Sequence, residues 1–103
     1  MEISDDVIAE RILVREQQPE KVVIVAINRP ARMWDKSECR CVYQIRGAGH
    51  DLVGFGAGID EFQALRAALC MLSADITRLN STNATRLRWP AAPEITNCGF
   101  DED

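Results

Sequence analysis

The stretch Gly58-Ile59-Asp60-Glu61-Phe62-Gln63-Ala64-Leu65 constrains this chain more than any other, because a run suited to a strand ends in glycine and a long amphipathic helix begins there. Asp60 is a good N-cap residue. Gln63, three positions on, completes an Asp-x-x-Gln variant of the capping box, with Ile59 placed to pack back on the first turn. Glu61 adds negative charge at the positive end of the helix dipole. Phe62, Leu65, Leu69, Leu72, Ile76 and Leu79 then recur at spacings of three and four, which predicts one apolar, buried stripe. Asn80-Ser81-Thr82-Asn83 carries stop and turn chemistry, so the helix is expected to run for about twenty residues, roughly 30 Å.

Before this helix the residues alternate as strands do. Ile8 to Arg15 reads as a first strand, and Glu16 to Glu20 as a polar turn. Val22 to Ile27 is β-branched on both parities, as expected of a central strand with one face under the helix and the other partly covered. Asn28-Arg29-Pro30 punctuates it. Cys39, Cys41, Tyr43 and Ile45 alternate with Arg40, Val42, Gln44 and Arg46, which turns the first set inward and the second outward. Gly47 to His50 reads as a turn, Asp51 to Ile59 as a glycine-rich strand, and Arg86 to Trp89 as a short strand at an edge, since Pro90 follows. The fold expected is α+β: one domain over residues 1–103, with an antiparallel sheet of four to five strands and one long helix on one face. The other face would leave Arg40, Gln44, Arg46, Arg86 and Arg88 to water or to a partner.

Charge is the best functional clue. Residues 1–20 carry six acids and two arginines, residues 94–103 four acids and no base, and residues 21–93 ten bases against six acids. The net charges are −4, +4 and −4, so acidic ends, 1–6 and 94–103, flank a basic middle. Such ends keep a small protein in solution, and they can also steer it towards a basic partner. A nucleic-acid partner is disfavoured, because the isoelectric point is near 5.0 and no nucleic-acid-binding motif accompanies the arginines. No apolar run approaches the roughly 20 residues that span a bilayer, and the acidic start is unlike a signal peptide, so no membrane partner and a cytoplasmic location are expected.

The residue types that carry chemistry are scattered. Gly54-Phe55-Gly56-Ala57-Gly58 ahead of a helix resembles a phosphate-cradling loop, yet it lacks both the dinucleotide spacing and a Gly-Lys-Ser/Thr ending, and Asp60 and Glu61 would repel phosphate. Cys39, Cys41, Cys70 and Cys98 lack the paired spacing of a zinc site, and a free cysteine packs as a small hydrophobe. His50 stands without a positioned nucleophile or an orienting acid, since Asp51 points to the other side of a strand. The expectation is therefore no catalytic residue, no metal and no cofactor. Trp34 and Trp89 lie in polar or proline-containing segments and suit surface anchors, because tryptophan is enriched at binding hot spots.

The order Ala9-Glu10-Arg11, Val22 to Pro30, Cys41-Val42-Tyr43-Gln44-Ile45 with Gly47, the Gly-x-Asp-x-x-Gln-Ala-Leu helix start, Leu87 to Trp89 and Gly99-Phe100 resembles a bacterial family of small proteins described only as a domain of unknown function. The resemblance covers nearly the whole chain and implies a bacterial cytoplasmic protein, with no reaction or cofactor attached. The leading expectation is a non-catalytic binding module, an immunity or antitoxin-like protein that masks the active site or substrate surface of a cognate protein toxin. Asp5, Asp6, Trp34, Trp89, Asp101, Glu102 and Asp103 are the expected contact residues. The alternatives are a small-ligand-binding or enzymatic domain that uses Gly54–Gly58 and His50, and a self-associating module, a homodimer in which Arg40, Arg46 and Arg88 meet acids of a second copy.

Overall fold

The computed structural model describes residues 6–35, 37–82 and 86–100. It is an α+β sandwich of two layers, a six-stranded antiparallel sheet with one long helix on one face. Strands β1 (Val7–Arg15) and β2 (Gln18–Asn28) form a hairpin. The polar turn is shorter than the sequence suggests, because β2 already begins at Gln18, where Gln18 Oε1 accepts a hydrogen bond from Arg15 Nη1 at 3.1 Å. The register shifts between Val14 and Arg15, so residues 19–21 bulge and Pro19 needs no ladder partner.

The two-residue strand β3 (Ala31–Arg32) is not legible in the sequence. It pairs with the start of β4 (Cys39–Gly47) on the side that β2 occupies farther along, because β5 (His50–Gly58) lines the whole of β4 on its other side. Partner numbers sum to one more in the β3–β4 ladder (Ala31 with Arg40) than in the β2–β4 ladder (Ile27 with Tyr43), so β3 continues β2 after one extra residue at the Asn28-Arg29-Pro30 break. The sheet therefore runs β5, β4, β2 with β3, β1 and β6 (Leu87–Arg88), with β6 at the edge as expected. The β4–β5 turn is Ala48-Gly49, both with positive φ (52° and 89°), as the tightest hairpins require.

Helix α1 spans Glu61–Thr82. Its cap forms as read: the Gln63 amide donates to Asp60 Oδ1 and the Ile59 amide to Gln63 Oε1, both at 2.9 Å. Its buried face differs from the expected stripe. Ala64, Ala68, Leu72 and Ile76 are buried, Leu65 and Leu79 are half-buried, and Phe62 and Leu69 are exposed. Ile59 does not pack on the first turn either. The cause is the inward face of β5, where a Cβ added to Gly56 would lie 2.1 Å from the Ala68 amide nitrogen, and one added to Gly58 2.7 Å from that of Ala64. The helix settles onto bare strand backbone, and only alanine fits between.

The core between the layers is built from Leu13, Val23, Tyr43, Ile45, Leu72 and Ile76. On the opposite face of the sheet the outcome is more apolar than expected. Arg46 is exposed there, but so are Ile8, Ile12, Val22, Ile24, Val53 and Phe55, with Ile12 beside Ile24 in register.

Candidate interaction surface

The three most exposed large apolar side chains of the described residues are Trp34 (89% exposed), Phe62 (83%) and Ile59 (76%), and all three lie at one end of the sheet. Local chemistry puts each there. The Met33 amide donates to the Glu38 carbonyl at 2.8 Å and closes the β3–β4 connection. Inside it Asp35 Oδ1 accepts from the Ser37 amide at 3.0 Å and from its hydroxyl at 2.7 Å, which fixes the turn and lowers the Asp35 pKa. With the turn satisfied from within, Trp34 projects into solvent.

At the β5–α1 junction the capping groups are Asp60 and Gln63, which leaves the apolar residues between and before them unneeded for the fold. Arg32, Cys39 and Gly58 follow one another in register across β3, β4 and β5. Arg32 Nη2 also donates to the Ile59 carbonyl at 2.9 Å, which ties the two connections together. Phe62 sits two helical turns before Leu69, which lines a cleft with Val25 and Ile27 of β2, so Phe62 leans towards the β2–β3 side of the same end. Asp35, Asp60 and Glu61 neighbour these side chains along the chain, and Arg32, still cationic, lies at the same end with its guanidinium held on the Ile59 carbonyl. The result is an apolar tip within an acidic rim, the layout of a protein-binding hot spot.

The other expected contact residues are not gathered there. Asp6 pairs with Arg29 at 2.8 Å, and because both are well exposed the pair adds little stability. Trp89 is half-buried at the far edge of the sheet. The Arg11 guanidinium lies 3.8 Å from its ring centroid and 4.7 Å from that of Phe100, while Arg11 Nη1 donates to the Cys98 carbonyl at 2.9 Å. Trp89 thus helps fasten the segment that ends in the short Thr96–Gly99 helical turn. Asp5, Asp101, Glu102 and Asp103 lie outside the described residues. Ile59 and Phe62, expected to pack on the first turn and in the buried stripe, are surface residues because the helix sits low on Gly56 and Gly58.

The glycine segment is not a loop. Gly54, Gly56 and Gly58 lie in β5 facing inward, where the Tyr43 ring and the α1 backbone occupy the space. His50, at the opposite end of β5, is held below its usual pKa by burial and by the Arg15 guanidinium. Burial raises the thiols of Cys41 and Cys98 to about 11, which leaves both protonated near neutrality. Cys41 Sγ donates to the Asn28 carbonyl at 3.2 Å. Among the described residues no group of three or more His, Cys, Asp and Glu is placed to hold a metal ion. The cleft between Leu69 and Leu72 of α1 and Val25 and Ile27 of β2 measures about 140 Å³, below the roughly 300 Å³ of the smallest common ligand pockets.

A family model described as a domain of unknown function, DUF6968, matches residues 9–101. The chain belongs to the DUF6968 family. No curated protein and no solved structure matches it. The span assigned to DUF6968 begins at Ala9 within β1 and ends at residue 101, so it takes in the rest of the sheet, the helix and the apolar tip. No helix among the described residues of this DUF6968 protein is long and apolar enough to cross a membrane.

Proposed function

We propose that this protein is a non-catalytic binding module of the immunity type, a bacterial cytoplasmic protein that neutralises a protein toxin by covering its active site or substrate surface. The observation that carries this reading is the end of the molecule where Trp34, Ile59 and Phe62 stand exposed among Asp35, Asp60 and Glu61. Large apolar side chains held out by structured connections supply affinity on burial, since tryptophan anchors dominate binding energy. The acidic rim selects a cationic counterpart and speeds its approach. A toxin that acts on nucleic acid presents such a surface, and an inhibitor lodged there excludes the substrate.

The test is growth rescue. Candidate toxin domains, chosen from the genes that neighbour the one for this chain, are co-expressed with the wild-type chain and with Trp34→Ala/Phe62→Ala, and any complexes formed are then measured in vitro. The wild type is expected to restore growth. Each alanine is expected to weaken the complex by about 2 kcal/mol, about thirtyfold, and salt to slow association. Rescue and affinity unchanged in the double variant, with both proteins equally folded by circular dichroism, would remove this reading.

A further inference from the structure

The second surface with unused binding capacity is the outer edge of β5. Among the described residues β5 pairs with β4 alone. Ala48-Gly49 closes a two-residue hairpin, so Gly47 and His50 form a hydrogen-bonded pair and every second pair after it does too. Residues 50, 52, 54, 56 and 58 therefore spend their backbone groups on β4, while Asp51, Val53, Phe55 and Ala57 aim theirs outward. An open strand edge is a template for another strand, and proteins that keep one unpaired blunt it with lysine, proline or bulges. β5 has no lysine or proline and an unbroken register with β4 over all nine residues.

We infer that this edge is the interface of a homodimer in which β5 pairs antiparallel with β5 of a second copy about a twofold axis at Gly54. Three features select a second copy as the occupant. The register is self-complementary: Asp51 faces Ala57, and Val53 faces Phe55 of the other copy, so all four outward residues exchange both backbone hydrogen bonds. The side chains agree with the backbone, because Val53 and Phe55 are exposed on the open face and become aromatic/β-branched cross-strand pairs on both sides of the axis.

The layer above agrees as well. Leu69 and Leu72 turn towards β2, so the opposite flank of α1, with Ala67, Met71 and Ala74 at spacings of four and three, lies on the β5 side. Pairing the strands sets the two helices about two strand spacings apart, about 10 Å, where Ala67 and Ala74 let them approach and the flexible Met71 side chain fills the space between. Nine residues at about 3.3 Å each give an edge about 30 Å long. Against the molecule's shortest dimension of 23 Å that is a face of about 700 Å² per copy, near the roughly 800 Å² of a standard interface. The antiparallel arrangement leaves one apolar tip free at each end, and the inference does not rest on the identity of the tip's partner.

Sedimentation equilibrium of the full chain over a concentration series, with amide hydrogen exchange read residue by residue, tests this. The wild type is expected at twice 11.5 kDa, with the Asp51, Val53, Phe55 and Ala57 amides gaining protection as concentration rises. Val53→Lys and Phe55→Lys each put a charge on the pairing edge and are each expected to weaken the dimer at least about tenfold; Phe55 also carries the Arg40 guanidinium 4.5 Å from its ring centroid, so Val53→Lys is the variant expected to leave the thermal transition of the monomer in place. A wild-type monomer at the highest concentration overturns the inference. So does a dimer in which those four amides exchange freely, or one that both lysine variants retain.

Discussion

Tyr43, buried in the middle of β4, donates its hydroxyl to the Asp75 carboxylate of α1 at 2.5 Å and so joins the two layers through a polar bond. The Tyr43 ring lies over Gly54 of the neighbouring strand, where any Cβ would meet it. Asp75 Oδ1 is also 3.3 Å from Arg78 Nη2, which helps to orient the carboxylate. Burial, and then the bond to Asp75, raise the Tyr43 pKa well above its ordinary value.

Tyr43→Phe removes the donor, keeps the ring and leaves Asp75 half-buried without it. A loss of about 1–3 kcal/mol in unfolding free energy is expected. Urea titration checks this. Tyr43→Phe combined with Asp75→Ala should lose less than the two single losses together, since the pair is one interaction.

Alkaline pH should unfold the protein by an identifiable route. Tyr43, Cys41 and Cys98 all have folded pKa values above their ordinary ones of 10.0, 9.0 and 9.0, so the native state holds protons that the unfolded chain releases. Their stabilisation is complete below pH 9 and is lost as pH rises, for the thiols between 9.0 and about 11 and for Tyr43 from 10.0 upward. Thermal melts from pH 8 to 11 should show a falling midpoint, and Cys41→Ala/Cys98→Ala should flatten the lower part of that fall.

Two glycines should respond differently to alanine. At Gly56 a Cβ would meet α1 backbone at 2.1 Å, so the helix must lift, and a loss of about 3 kcal/mol or more is expected. At Gly49 the nearest atom is the tip of Arg15 at 3.7 Å, and only the left-handed φ of 89° opposes the substitution, which costs about 1 kcal/mol. Denaturant midpoints that ranked Gly49→Ala as the worse variant would contradict this packing.

Arg11→Ala should release the end of the chain that Trp89 and Phe100 hold. In a Trp34→Phe background Trp89 is the remaining indole, and its emission is expected to shift to the red with a stability loss of about 1–2 kcal/mol. Unchanged emission would show that Arg11 does not shield the ring.

The strands β1, β2, β4 and β5, the edge position of β6 and the cap of α1 were legible because each is written in neighbouring residues: alternation in Cys39 to Arg46, a capping box in Asp60 and Gln63. The strand β3 was not, because two residues after a bulge carry no periodicity of their own. Of the candidate surface, Trp34 could be read from its polar surroundings. Ile59 and Phe62 could not, since an apolar residue beside a helix cap looks like a packing residue until the opposing surface is known.

The sequence by itself determined the element types, the antiparallel α+β class and the inward and outward parity of β4, all of which follow from backbone hydrogen bonding and side-chain period within short segments. Tertiary structure alone decided how α1 is rotated. That rotation is set by the approach of Gly56 to Ala68, two residues in different elements, where the missing side chain of one lets the backbone of the other descend. It carries Phe62 out of the core and turns Ala67, Met71 and Ala74 over the free edge of β5, because close packing admits one orientation of the helix on that bare strip of sheet.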